Sequence, residues 1–90
     1  MFKQQSYLGI SYGFEWTQDA QGEWYAWDYE AGNKAAQEAR DAEAKKLKAA
    51  GWTVKKSSDR NQLISRGGIG SGKPHIELHC NAYILTAWKA

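Results

Sequence analysis

The last part of the chain holds the residue types best suited to metal binding. His75, Glu77 and His79 alternate with apolar residues, and Cys80 follows them directly. In a strand, this spacing places the two histidines and the glutamate on one face and Cys80 on the other. Residues four apart on a strand are separated by about 13 Å, so the two histidines cannot share one metal ion. The pattern favours a polar strand face, and we predict no metal and no cofactor.

The single cysteine of the chain lies on the apolar side of the same strand. Cys80 stands between Leu78 and Ala82, and a thiol acts as a nucleophile only when a base lies beside it. His79 projects to the opposite face, so we expect Cys80 to be a small core residue. The sequence shows no Ser/His/Asp arrangement and no recognisable carboxylate pair in an apolar setting. These observations predict that the protein is not an enzyme.

A glycine-rich segment, Gly67–Lys73, matches the glycine and lysine positions of a phosphate-binding loop. That motif requires Ser or Thr as the next residue, and then a helix whose N-terminus faces the phosphates. Here Pro74 follows, and an alternating strand pattern comes after it. We therefore interpret the segment as a connection between two strands, although Arg66 and Lys73 beside it could hold an anion.

Aromatic residues and carboxylates are concentrated at the start of the chain. The first thirty-two residues hold five carboxylates against Lys3, whereas residues 51–90 hold six Lys or Arg against two carboxylates. Nine of the twelve aromatic residues lie in the acidic part: Phe2, Tyr7, Tyr12, Phe14, Trp16, Trp24, Tyr25, Trp27 and Tyr29. Tyr and Trp combine a large apolar area with a polar tip, so they serve in cores and in binding surfaces.

Two alternating segments in this acidic part predict a β-hairpin. Residues 9–17 and 23–30 both alternate, and residues 19–22 between them suit a four-residue loop with Gly22 at positive φ. This register opposes Trp16 to Tyr25, Phe14 to Trp27 and Tyr12 to Tyr29. All six rings then share one face of the hairpin.

The remaining pattern predicts one helix followed by further strands. Residues 33–50 have strong helix composition and end at Gly51, where Trp52 can fold back on the last turn. Strands are expected at residues 53–57, 62–66 and 75–88, with turn residues at 58–61. The order β-β-α-β-β-β specifies an α+β fold, in which an antiparallel sheet carries a single helix packed on one face.

The helix and the hairpin are expected to pack together in one domain. Small residues dominate one side of the predicted helix: Ala35, Ala36, Ala39, Ala42, Leu47 and Ala50. A smooth alanine face matches a hairpin that carries large rings. Ninety residues form a single compact domain spanning 1–90.

Hydropathy, the start of the sequence and cysteine content together predict the cellular compartment. No apolar run approaches the roughly 20 residues that a bilayer span requires. The segment from Met1 to Ser6 lacks the apolar stretch of a signal peptide, and one cysteine allows no internal disulfide. We expect a cytoplasmic protein without a membrane partner.

The outer face of the hairpin is the predicted binding surface. With the rings turned towards the helix, Trp24 lies among carboxylates and small side chains on the opposite face. The residues predicted to bind a protein are Glu15, Glu23, Trp24, Asp28 and Glu30. An exposed Trp among charges suits an interface anchor for a partner with a basic surface, and a homodimer is compatible with the same pattern. Size and class alone suggest a phage or mobile-element inhibitor of a host defence protein, similar to an anti-CRISPR protein.

The basic half of the chain gives an alternative hypothesis, in which the protein binds nucleic acid or another anion. The residues for this alternative are Lys55, Lys56, Arg60, Arg66 and Lys73. Basic residues beside glycine loops are typical of nucleic-acid-binding modules. Most rings that could stack on bases, however, belong to the acidic half, where carboxylates repel phosphates. Protein binding is therefore the preferred interpretation.

One short segment resembles a known family. Leu47–Lys55 is similar to the L-x-x-x-G-W-x-V-x stretch of HicA-type toxins, which are small ribonucleases with a double-stranded-RNA-binding fold. In that family a Gly-Ser-His triplet on the next strand carries the catalytic histidine. The corresponding residues here, 57–61, contain no histidine, so the resemblance does not imply ribonuclease activity for this chain.

Overall fold

A computed structural model of the protein describes residues 1–18 and 24–90. Its elements are β1 (Phe2–Leu8), α1 (Ile10–Gly13), β2 (Phe14–Trp16), β3 (Tyr25–Trp27), α2 (Tyr29–Ala49), β4 (Thr53–Gly68) and β5 (Lys73–Trp88). One antiparallel sheet has the strand order β1-β5-β4, and β2 and β3 form a second, two-stranded sheet. The protein therefore has the predicted α+β fold, with one main helix packed against antiparallel strands.

The core lies between α2 and the three-stranded sheet. Ala44 and Leu47 of α2 pack with Leu85 and Ala87 of β5, and Tyr7, Trp52 and Val54 surround them. The spacing of Ala36, Ala44 and Leu47 places their side chains on one face of α2.

The expectation that α2 packs against the rings of the hairpin is wrong. In the described residues, α2 packs along β1, β4, β5 and α1, and it makes at most marginal contact with β2 and β3. Ala36 and Ala44 are buried, and Ala44 packs with β5, whereas Ala42 and Ala50 are exposed. Small side chains on a helix allow a close approach of any apolar surface, so the alanine face did not specify the hairpin as its partner.

Both ends of α2 have identifiable caps. Asp28 begins the helix, because its carboxylate accepts a hydrogen bond of 3.0 Å from the N–H of Ala31. At the other end Gly51 has a φ of 93°, and the N–H of Trp52 bonds the carbonyl of Leu47 at 3.0 Å. This is the predicted Schellman arrangement, and it returns Trp52 to the core. The predicted start at residue 33 is four residues too late.

Strand β1 joins the first residues of the chain to the last. It pairs with β5 from Phe2 opposite Trp88 to Leu8 opposite Ala82. The sequence FKQQSYL lacks regular alternation, so its pattern did not predict a strand.

Strands β4 and β5 extend well beyond the core. The predicted turn at residues 58–61 is instead a β-bulge between Asp59 and Gln62, where Asn61 takes a φ of 63°. Past this bulge the two strands continue without β1 as a two-stranded ribbon formed by residues 62–68 and 73–80, which we name the arm. The molecule is accordingly elongated, with extents of 53 × 24 × 20 Å.

Candidate protein-binding surface

The hairpin forms with the predicted register over its central residues. Phe14 opposes Trp27 and Trp16 opposes Tyr25, as loop length and alternation indicated. The predicted pair of Tyr12 with Tyr29 is wrong, because Tyr12 belongs to α1 and Tyr29 begins α2. The loop predicted at residues 19–22 lies outside the described part of the chain.

The rings of the hairpin form a cluster that faces the arm. The ring centroid of Phe14 lies 5.1 Å from that of Trp16 and 5.7 Å from that of Tyr25. Lys73 Nζ lies 5.6 Å from the centroid of the Trp16 ring. A Cβ on Gly67 would lie 3.0 Å from a ring carbon of Trp16, so the indole rests against the backbone of the arm.

The opposite side of the hairpin is open, as its alternation predicted. Glu15 and Ala26 are paired across the two strands, and both are exposed. The N–H of Thr17 bonds the carbonyl of Trp24 at 3.0 Å, which continues the pairing by one residue. Trp24 is 43% exposed, which is a large apolar area on an otherwise polar surface.

A groove lies between this open side and the start of α2. Its volume is about 420 Å³, and its lining consists of Tyr12, Gly13, Phe14, Glu15, Ala26, Trp27, Asp28 and Ala31. We call it the acidic groove. It therefore combines the exposed ring of Tyr12 with the carboxylates of Glu15 and Asp28.

Backbone pairing and the glycine at position 13 set the positions of the two carboxylates in the acidic groove. The N–H of Asp28 bonds the carbonyl of Gly13 at 3.0 Å, and Glu15 opposes Ala26. The two carboxylates therefore stand diagonally across the strands, with Gly13 and Ala26 at the other two corners. A Cβ on Gly13 would lie 2.6 Å from the carbonyl oxygen of Asp28 and from Cα of Gly32, so only glycine fits there.

The carboxylates of this surface have no cationic partner within the described residues. In that part of the chain, no Lys or Arg lies within ion-pair distance of Glu15, Asp28 or Glu30. Asp28 caps α2, and Glu30 lies in the first turn, where the helix dipole favours negative charge. Glu23, the fifth predicted residue, lies outside the described residues.

Two asparagines fix the acidic groove to the main sheet. Where β1 ends, Asn33 Oδ1 accepts the backbone N–H of Asn81 at 2.9 Å, and the carbonyl of Asn81 accepts the N–H of Gly9 at 2.9 Å. The hydroxyl of Tyr29 also donates to Asn81 Oδ1 at 3.3 Å. Asn33 thus accepts a hydrogen bond that a further residue of β1 would otherwise accept. This bond holds the start of α2 on β5. No sequence pattern singled out Asn33 for this contact, because polar residues occur throughout α2.

A buried arginine fixes the middle of α2 in a similar way. Arg40 is 5% exposed, donates to the carbonyl of Ser57 at 2.9 Å, and lies 5.3 Å from the ring of Tyr83. It also binds Asp41 at 3.0 Å, and Lys56 lies 3.4 Å from the same carboxylate. Burial acts to raise the pKa of Asp41, but the hydrogen bonds and charges of Arg40 and Lys56 outweigh it and lower that pKa.

The basic residues of the alternative hypothesis do not form one cluster, although Arg66 and Lys73 both lie near the tip of the arm. Lys56 binds Asp41, Lys73 lies over Trp16, and Arg66 donates to the carbonyl of Ser65 at 3.1 Å. Lys55 and Arg66 are about 35 Å apart along the extended strand. The fold therefore spreads these charges along β4 and the arm.

The residues that suggested other chemistry occupy ordinary positions. Cys80 is fully buried, as expected for a core residue. His75 and Glu77 are exposed, with Nε2 and Oε1 3.9 Å apart. Residues 1–18 and 24–90 contain no group of three or more His, Cys, Asp or Glu that could hold a metal ion. In the same residues, no helix has the length and apolar character needed to cross a bilayer.

Comparison of the chain with family models, with curated proteins and with solved structures finds no match.

Proposed function

We propose that the protein is a small binding domain that holds a basic segment of a partner protein in the acidic groove and against Trp24. The observation that carries this proposal is an open surface on which carboxylates without a cationic partner stand beside exposed rings. In contrast, Asp41 elsewhere on α2 is paired with two cations.

The chemistry of the acidic groove suits a Lys or Arg side chain. A guanidinium or ammonium group can lie over an aromatic ring while a nearby carboxylate accepts its hydrogen bonds. Glu15 and Asp28 supply the carboxylates, and the exposed Tyr12 supplies a ring. Trp24 adds an apolar anchor outside the groove, and the acidic surface steers a basic partner towards it.

Binding of a labelled oligoarginine peptide tests this proposal, with an oligoglutamate peptide as the negative probe. Because an exposed Trp at an interface contributes much of the affinity, we expect Trp24→Ala to weaken oligoarginine binding by about tenfold or more. Trp88→Ala is the matched control, since Trp88 is 42% exposed on β5, outside this surface. Equal binding by both variants would contradict the proposal.

Separate binding assays with duplex nucleic acid and with oligoarginine, using different variants, distinguish the two functions. If the protein binds duplex DNA or RNA through its basic residues, affinity must fall steeply with salt, and it must be lost in the double variant Arg66→Ala with Lys73→Ala. If Glu15→Gln loses oligoarginine binding and Glu38→Gln keeps it, this result supports binding in the acidic groove instead. Glu38 serves as the control because it lies on an exposed turn of α2. Inhibition of a host defence protein stays a prediction that only the size and class of the chain suggest.

A further inference from the structure

The tip of the arm presents one apolar side chain fully to solvent. Ile69 has a relative exposure of 110%, and its neighbours in the turn are glycines and a serine. A Cβ added at Gly70 or Gly72 would meet no atom within 4 Å, so the turn is bare around Ile69. Burying this side chain against an apolar surface would remove its whole area from water, so Ile69 is well placed to contribute to a contact.

Hydrogen bonds within the turn hold this side chain in a defined place. Ser71 Oγ donates to the carbonyl of Gly68 at 2.7 Å, and the N–H of Lys73 donates to Ser71 Oγ at 3.1 Å. Gly68, Gly70 and Gly72 all have positive φ values, which glycine adopts without strain. The tip is therefore a structured turn that projects Ile69.

The charge of the tip is opposite to that of the acidic groove. Arg66 and Lys73 flank the turn, and Glu77 lies further down the arm beside His75. The arm thus ends in an apolar side chain with cations behind it, whereas the acidic groove offers the ring of Tyr12 with carboxylates beside it.

We propose that the arm tip of one copy binds in the acidic groove of a second copy of this chain. Ile69 contacts the exposed ring of Tyr12 in the groove, and Arg66 approaches Glu15. The arm of the same copy lies against the opposite, ring-bearing side of the hairpin, so it does not fill its own groove. This inference rests on the proposed function, because it names the partner of the same groove.

Each copy carries one tip and one groove, so the contact joins two different surfaces. Two copies can exchange arms reciprocally, or successive copies can form an open chain. In both cases a copy without a working tip still offers a groove, and a copy without a working groove still offers a tip. This asymmetry makes the proposal directly testable.

Sedimentation equilibrium from micromolar to millimolar concentration measures the association. We expect Ile69→Ser and Glu15→Lys each to raise the dissociation constant about tenfold or more, because one removes the apolar contact and the other reverses a groove charge. Leu63→Ser is the matched control, since Leu63 is 54% exposed on the arm away from the tip. All three changes lie on the surface, and circular dichroism checks that each variant folds.

Mixing the two defective variants gives the decisive result. Ile69→Ser has a working groove and Glu15→Lys has a working tip, so the mixture should form a one-to-one complex that neither variant forms alone. A mixture that stays monomeric would overturn the proposal. So would a wild-type protein that is monomeric at millimolar concentration, or an association that neither variant weakens.

The oligoarginine probe separates this proposal from the proposed function. If the groove binds a basic segment but not a second copy, wild type and Ile69→Ser bind the probe equally and both remain monomeric. A further outcome is that the wild type is monomeric and binds duplex DNA, and that Ile69→Ser loses this binding. The tip would then bind nucleic acid, and the proposal would be overturned.

Discussion

Asn33 is the residue that joins the start of α2 to the central strand. It is 5% exposed, and its Oδ1 is the acceptor for the N–H of Asn81. Asn33→Ala leaves that N–H without this acceptor, so we expect the free energy of unfolding to fall by about 1–3 kcal/mol. Urea unfolding measures the change, with Gln37→Ala as the exposed control one turn later. A loss no larger than that of the control would show that the contact contributes little.

Asp41 is the carboxylate for which a pH effect is expected. Its pKa is lowered in the folded protein, because Arg40 and Lys56 outweigh the effect of burial. A lowered pKa stabilises the fold above the unfolded value of about 3.9 and loses that stabilisation as the pH falls through the folded value. The side chain is 41% exposed, so solvent limits the contribution to below about 1 kcal/mol.

Unfolding of Asp41→Asn in urea at pH 7 and below pH 3 checks this expectation. The variant should be less stable than wild type at pH 7, and the difference should shrink as the pH falls through the lowered pKa of the wild-type carboxylate. Glu38→Gln is the control, because Glu38 is an exposed carboxylate with no ion pair in the described residues. A difference that persists unchanged in acid would contradict the proposed cause.

The close approach of α2 to the sheet depends on its small side chains. Ala36 has no exposed surface, whereas Ala42 lies on the solvent side of the same helix. Ala36→Leu forces three extra carbon atoms into a packed layer, so we expect a loss of about 1–3 kcal/mol. Ala42→Leu makes the same change in helix propensity as Ala36→Leu, but at an exposed position. It should change stability by less than about 0.5 kcal/mol. Thermal or urea unfolding of both variants measures the difference, and similar values would argue against tight packing at Ala36.

The alternation of apolar residues and the turn residues predicted those features that depend on neighbouring residues in the sequence. The pairs Phe14–Trp27 and Trp16–Tyr25 follow from the loop length, and the end of α2 follows from Gly51 and Trp52. The alternating face also placed Trp24 opposite the rings. The fold class and the exposed part of the candidate surface were therefore predictable from the sequence.

The remaining features depend on competition between distant segments. Asp28 fits the alternation of a strand, but as the N-cap of α2 it ends β3 early. Residues 58–61 have turn composition, and a bulge uses the same property, because Asn61 tolerates positive φ in either setting. Which surface covers the alanine face of α2 is decided by packing across the whole chain, and no local pattern carries that information.

The whole molecule is longer than a compact domain of its size. The radius of gyration over Cα atoms is 16.0 Å, against about 12 Å for a compact chain of this length. Small-angle X-ray scattering of dilute Ile69→Ser should give a value near 16 Å, since the arm projects from the core. A value near 12 Å would mean that the arm folds back in solution.

Pairing of Phe2 with Trp88 also bears on how the chain folds during synthesis. β1 leaves the ribosome before its partner β5 and stays unpaired until β5 has been translated. Closing a loop of this span costs entropy, and a nascent strand edge left open is a site for aggregation. The helix and the β4–β5 ribbon can form from contiguous sequence, so we expect β1 to be the last strand added to the native sheet.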